Sequence, residues 1–126
     1  MDKTFYLYSL GCPKNEVDSE CMSALLKEKG YRFTDHPKEA SFLVVNTCAF
    51  LESAVTEAID AILELAEIKK DNPKAFLIVT GCLPQRYKDE ITKEIPEVDA
   101  VLGTGEYGQI AEVFESLLEG HSLKEH

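Results

Sequence analysis

Three of the four cysteines follow apolar, strand-like runs and stand just before stretches of helical character. The runs are residues 4–11, 42–47 and 76–81, and the residues that follow them are Cys12, Cys48 and Cys82. Short apolar, β-branched and aromatic runs bounded by glycine or proline are typical of buried strands. Because the carboxyl ends of parallel strands lie at one edge of a sheet, where ligands bind, we expect the three thiols to converge on one site.

Strand-like and helical patterns alternate along the whole chain. Strands are predicted at about residues 3–9, 31–34, 42–47, 75–80 and 98–102. Helices are predicted at about 16–29 and 53–70, in a shorter segment opened by Pro84 and ended at Ile95-Pro96, and over the amphipathic stretch 110–118. This alternation predicts an α/β fold, a three-layer sandwich around a five-stranded parallel sheet of flavodoxin-like order 2-1-3-4-5. In that order the three strands that lead to the cysteines are neighbours.

The helical patterns also predict which side chains are buried. In the first helix the apolar stripe is Val17, Cys21, Ala24 and Leu25, with Asn15 as the N-cap and Gly30 as the stop. In the second helix the predicted buried face is Val55, Ala58, Ile59, Ile62, Leu63 and Ala66, with Ser53 as a candidate cap. Cys21 is therefore predicted to be a core residue, the alternative being a resolving thiol or disulfide partner for Cys12.

The length and composition fit one soluble domain. With 126 residues, 44% hydrophobic and 29% charged, the chain is long enough for a core, and we assign residues 1–120 to the domain and 121–126 to a tail or the start of a linker. No apolar run reaches the roughly 20 residues of a membrane span, and the N-terminus lacks a signal-peptide pattern. These features predict a cytoplasmic protein without membrane contact, where clustered cysteines bind metal or react more often than they form disulfides.

The net charge of −10 argues against strong nucleic-acid binding by this domain, because neutralising phosphates requires basic patches. A basic protein partner is compatible with this charge, although solubility is a sufficient explanation of it.

Three cysteine ligands suit an open metal site. Thiolate is the form that ligates metal, and structural zinc sites and iron–sulfur clusters usually take four protein ligands. A site with three leaves one metal position free for another ligand. A single cysteine after a buried strand is usually a small core residue, but three at equivalent positions favour a site. A module that binds zinc or cycles its thiols remains an alternative.

Other site patterns have weaker support. Asp18 occupies the position where a cysteine phosphatase loop needs arginine, and neither a Gly-x-Gly-x-x-Gly nor a Walker loop occurs. Residues 103–105 are interpreted as a turn, and the three histidines, His36, His121 and His126, as surface residues.

Three segments together resemble the radical-SAM methylthiotransferases. They are residues 9–20 (SLGCPKNEVDSE), 45–50 (VNTCAF) and 79–86 (VTGCLPQR). The resemblance covers the whole chain as that family's N-terminal domain. The Gly-Cys-Pro-Lys-Asn form resembles the branch that modifies ribosomal protein S12; the branches that modify tRNA are similar and are the alternative.

The resemblance implies that Cys12, Cys48 and Cys82 hold an auxiliary [4Fe-4S] cluster whose fourth iron is open. It implies, for the intact enzyme, addition of a methylthio group to the β-carbon of an aspartate in ribosomal protein S12. No C-x3-C-x2-C motif occurs here, so the radical-SAM domain, with a second [4Fe-4S] cluster and S-adenosylmethionine, and the TRAM domain are expected outside this chain. The chain is therefore expected to be part of a transferase that is inactive alone, with no catalytic residue assigned, and to contact its own radical-SAM domain and S12.

Overall fold

A computed structural model describes residues 4–9, 13–47, 52–72, 75–81, 91, 93–103 and 107–118. The strands are β1 (Thr4–Ser9), β2 (Arg32–Phe33), β3 (Phe42–Thr47), β4 (Phe76–Gly81) and β5 (Val98–Leu102). The helices are α1 (Pro13–Glu28), α2 (Glu52–Asp71) and α3 (Ile110–Leu118), with 3-10 turns at Pro37–Glu39 and Tyr107–Gln109. Residues 91 and 93–94 are also helical. The predicted helix opened by Pro84 falls mainly outside the described residues, as do Thr104, Gly105 and the predicted tail 121–126.

The five strands form one parallel sheet in the order β2-β1-β3-β4-β5, which confirms the predicted fold. All six residues of β3 are buried, because this central strand has a packed layer on each face. Parallel strands buried on both faces carry continuous apolar runs, and the run Phe42–Val45 is of this kind. Strand identity and order were thus predictable from the sequence.

The side chains of β3 alternate between two cores. Phe42 and Val44 face the layer of α1 and α3, where Phe42 stacks on Phe114 with ring centroids 3.9 Å apart. Leu43 and Val45 face the layer of α2. The domain is therefore the three-layer sandwich that the sequence predicted.

The buried face of α1 differs from the prediction. Met22 and Leu26 are fully buried, whereas Val17 is 57% exposed and Cys21 is an exposed free thiol. Ala24 is also exposed and Leu25 only partly buried. The predicted stripe was wrong by about one residue, which is 100° of rotation on a helix, and Cys21 is not a core residue.

The prediction for α2 was partly wrong. Ala58, Ile62 and Ala66 are buried as expected, but Ile59 is 37% and Leu63 is 46% exposed. Among residues 55–71, whose side chains the structure describes, the other buried positions are Ala61 and Leu65. The contact face thus has the i, i+3, i+4, i+7, i+8 spacing of a helix that packs on one side.

The ends of α1 show one further difference from the prediction. The helix begins at Pro13 instead of near residue 16, which is consistent with the preference of proline for the first turn. At the other end Gly30 has a φ of 96°, and the amide of Tyr31 donates to the carbonyl oxygen of Leu26 at 2.9 Å. This left-handed glycine after a helix is the predicted stop.

In β5 a bulge is stabilised by a carboxylate. The pairing with β4 shifts between Leu77 and Ile78, and the Leu77 amide donates to Asp99 Oδ2 at 2.8 Å. The Lys69 ammonium on α2 forms an ion pair with the same oxygen and donates to the carbonyl oxygen of Glu97 at 2.9 Å. Asp99 therefore occupies the place of a missing ladder partner and links β5 to α2.

None of the helices in the part of the chain that the structure describes is long and apolar enough to cross a membrane.

Candidate functional site at the carboxyl edge of the sheet

The three predicted ligands, Cys12, Cys48 and Cys82, lie outside the described residues, but the strands that lead to them are described. β3 ends at Thr47 and β4 at Gly81, each directly before a cysteine, and β1 ends at Ser9, three residues before Cys12. All three strands are parallel, so these ends lie at the same edge of the sheet.

The pairing register shows how close the strand ends are. Thr47 pairs with Gly81, and Ser9 pairs with Asn46. Neighbouring strands are about 4.8 Å apart, so β1 and β4 are separated by about 10 Å across β3. The three cysteines that follow these strand ends in the sequence supply three thiols, a donor set whose chemistry suits a metal site.

Directly beneath this edge lies a buried network of polar side chains. The Asn46 amide nitrogen donates to Ser19 Oγ at 3.0 Å, and the Thr80 hydroxyl donates to Asn46 Oδ1 at 3.2 Å. The Thr47 hydroxyl donates to the carbonyl oxygen of Thr80 at 2.7 Å. We call the side chains of Ser19, Asn46, Thr47 and Thr80 the polar network; it connects α1, β3 and β4.

Gly81 allows β4 to approach this network closely. Its φ is 102°, in the left-handed region, which favours glycine. A Cβ at this position would lie 2.2 Å from the backbone oxygen of Thr47 and 2.9 Å from Asn46 Oδ1. A side chain at residue 81 is therefore incompatible with the observed position of the β3 end.

The sequence did not predict this network. Its only signal was a change from apolar to polar residues at the strand ends. Asn46 and Thr47 are the last two residues of β3, and Thr80 precedes the glycine of β4. Ser19 carried no signal, because a serine between charged residues on a helix is normally exposed.

Within the described ranges no group of three or more His, Cys, Asp or Glu residues could hold a metal ion. His36 is exposed beside the turn before β3, at the opposite edge of the sheet, where it lines an open depression with Pro37, Lys38 and Glu39. This agrees with its interpretation as a surface residue.

The chain is similar to one family of known proteins. Residues 4–103 match the "Uncharacterized protein family UPF0004". A protein of Thermoanaerobacter sp. named "Ribosomal protein uS12 methylthiotransferase RimO" is 48% identical over 124 residues, which is 98% of this chain and 28% of that protein.

Two proteins with the same name show similar identity. That of Acetivibrio thermocellus is 55% identical over 115 residues, covering 91% of this chain and 25% of its own length. That of Trichlorobacter lovleyi is 50% identical over 116 residues, covering 92% of this chain and 25% of its own length. The chain thus spans about a quarter of the length of the curated relatives that it matches.

Proposed function

The chain belongs to the UPF0004 family, and we propose on that premise that it is the auxiliary cluster domain of a methylthiotransferase that acts on ribosomal protein S12. The observation that supports this most directly is the pairing of Thr47 with Gly81, because the residues that follow them are Cys48 and Cys82. The relatives named above are uS12 methylthiotransferases, which supports the choice of reaction.

In this proposal Cys12, Cys48 and Cys82 hold a [4Fe-4S] cluster through three of its irons. When bound, such a cluster supplies an open iron at which sulfur can be carried for transfer. The contribution of the chain is to provide three thiolates from one edge of the sheet and to keep that edge in place. Three ligands from three connections suit an open site, whereas a closed structural site takes four.

The remaining chemistry is assigned to parts of the enzyme outside this chain. S-adenosylmethionine, a second [4Fe-4S] cluster, and the radical-SAM and TRAM domains are expected there, since the sequence contains no C-x3-C-x2-C motif. We therefore assign no catalytic residue to this chain and expect it to be inactive alone.

The proposed substrate is an aspartate of ribosomal protein S12, modified at its β-carbon. The net charge of −10 is compatible with a basic protein substrate and unfavourable for a polyanion such as tRNA. A ribosomal substrate also implies action in the cytoplasm.

Reconstitution of the chain with iron and sulfide under anaerobic conditions tests the cluster. We expect a brown protein with about four iron and four sulfide ions per chain, and loss of a stable four-iron cluster in Cys12→Ala, Cys48→Ala and Cys82→Ala. Cys21→Ala is the matched control and should keep its iron. A colourless protein that binds zinc instead would support the alternative, a zinc or thiol-redox module.

The role in transfer is tested in the full-length enzyme. Replacing the three cysteines should abolish methylthio transfer to S12 but leave reductive cleavage of S-adenosylmethionine measurable, because that chemistry belongs to the other domain. A triple variant that still methylthiolates S12 would contradict the sulfur-carrier role, and activity on tRNA instead of S12 would contradict the proposed substrate.

A further inference from the structure

We propose that the polar network of Ser19, Asn46, Thr47 and Thr80 positions the three cysteines for cluster binding. This inference rests on the proposed function and adds residues to it. These side chains are positioning residues: they act by fixing the backbone positions from which the cysteines extend, without contact to the cluster.

The location of the network supports this role. Thr47 directly precedes Cys48, Thr80 is two residues before Cys82, and α1, which contains Ser19, begins one residue after Cys12. Each of the three connections that carry a cysteine is therefore adjacent to an element that the network holds.

The composition of the buried residues supports it further. Among the residues that the structure describes, the buried polar side chains are those of Ser19, Asn46, Thr47 and Thr80. All of them belong to this network, while the rest of the described core is apolar. If stability were the sole requirement, apolar residues would serve about equally well here, since replacing both partners of a buried hydrogen bond by apolar groups of the same shape can be nearly neutral.

Unlike apolar packing, hydrogen bonds are directional, so they fix the relative orientation of the groups that they join. The Asn46 amide donates to α1 on one side and accepts from β4 on the other, so its planar side chain sets the spacing of both elements relative to β3. Thr47 adds a second link between β3 and β4. Removing an outer-shell residue that orients the ligands of a metal typically lowers metal affinity or activity by about 10- to 100-fold.

The test compares two replacements of Thr80 in the reconstituted chain. Thr80→Val keeps the shape and loses the hydroxyl, and Thr80→Ser keeps the hydroxyl and loses a buried methyl group. Iron loss to a ferrous chelator is followed under anaerobic conditions, at a temperature where circular dichroism shows each variant folded. We expect iron loss about tenfold faster or more in Thr80→Val and close to that of the unmodified chain in Thr80→Ser. Because the two variants are compared while both are folded, a purely structural role predicts similar rates of iron loss from Thr80→Val and Thr80→Ser.

A second pair of variants keeps the inference testable if Thr80→Val fails to fold. Ser19→Ala removes an acceptor of the Asn46 amide, and Ser23→Ala, a partly buried serine of the same helix, is the matched control. Faster iron loss in Ser19→Ala alone is the expected result.

The two proposals fail in different ways. Unchanged iron retention in folded Thr80→Val and Ser19→Ala, with loss of the cluster in Cys48→Ala, would overturn the positioning role and leave the proposed function intact. An unmodified chain that holds no four-iron cluster, or a Cys48→Ala variant that holds as much iron, would overturn the proposed function and the positioning role with it.

Discussion

Gly81 lies so close to Thr47 that a Cβ on the glycine would be 2.2 Å from the threonine's backbone oxygen. These two residues are paired across β3 and β4, and each directly precedes a proposed cluster ligand. The close approach is possible because Gly81 has no side chain and has a φ of 102°. A second glycine, Gly30, has a similar φ of 96° but nothing within 4 Å of the corresponding Cβ position.

The two glycines allow the effect of the close contact to be measured separately from the effect of φ. Gly30→Ala should lower the free energy of unfolding by about 1–2 kcal/mol, the cost of a left-handed non-glycine residue. Gly81→Ala should lower the free energy of unfolding by this amount and by about 1–3 kcal/mol more, because the added Cβ also clashes with the end of β3. Urea unfolding of both variants measures the difference. Equal losses would show that β3 and β4 can move apart without cost.

The observed face of α1 gives a second prediction. Met22 is fully buried and Val17 is 57% exposed, although the sequence pattern favoured Val17 as the core residue. Met22→Ala should therefore lower the free energy of unfolding by about 2–5 kcal/mol, and Val17→Ala by less than about 0.5 kcal/mol. Denaturant unfolding checks both values, and the opposite order would restore the original prediction.

The order of the strands was predictable because each has its own apolar run and because α/β connections follow few rules. The face of α1 was not, since Cys21-Met22 and Leu25-Leu26 place apolar residues on two adjacent stripes. Choosing between these stripes depends on tertiary contacts, among them the bond from Asn46 to Ser19. Local periodicity contains no information about such a contact.

The same distinction applies to the candidate site. The ends of β3 and β4 at Thr47 and Gly81 could be predicted, because they depend on where apolar runs end. The polar network could not, because its bonds join residues that are 27 and 34 positions apart in the sequence, Asn46 to Ser19 and Thr80 to Asn46. Only the folded arrangement brings these residues together.

The exposure of Cys21 predicts its reactivity. It is an exposed free thiol on α1, so in the reconstituted chain it should be the first cysteine alkylated by iodoacetamide, with about one label per chain. Cys21→Ser should remove this label and leave the iron content unchanged. Mass spectrometry of the labelled protein and iron analysis provide the measurements. A loss of iron on alkylation of Cys21 would contradict its assignment as a residue outside the site.

Asp99 is expected to stabilise the β5 bulge and its link to α2. The side chains of Lys69 and Asp99 are 16% and 23% exposed, so solvent screens this ion pair only in part. Asp99→Ala removes both the ion pair and the acceptor of the Leu77 amide, and should lower the free energy of unfolding by about 2–3 kcal/mol. Lys69→Met should cost less, because the carboxylate still accepts from Leu77. Chemical unfolding tests the order, and a larger loss for Lys69→Met would contradict it.

Stability at alkaline pH should depend on Tyr31. Burial raises the pKa of its hydroxyl above 10.0, and the negative charge of Glu115 raises it further; the side chain is 3% exposed and packs edge-on against Phe114. The unfolded chain therefore loses this proton at a lower pH than the folded chain does.

Consequently the contribution of Tyr31 to stability is complete below about pH 10 and is lost as the pH rises through the folded-state pKa, at no more than about 1.4 kcal/mol per pH unit. In Tyr31→Phe the free energy of unfolding should decrease less steeply above pH 10. In Glu115→Gln the pKa of Tyr31 should be lower, so Tyr31 should ionise at a lower pH. The pKa of Tyr6 is also raised, mainly by burial. Its contribution to the pH dependence is separate and is the same in both variants. Unfolding curves at several alkaline pH values, together with absorbance titration of tyrosinate, measure both effects. An unchanged pH dependence in Tyr31→Phe would contradict this assignment.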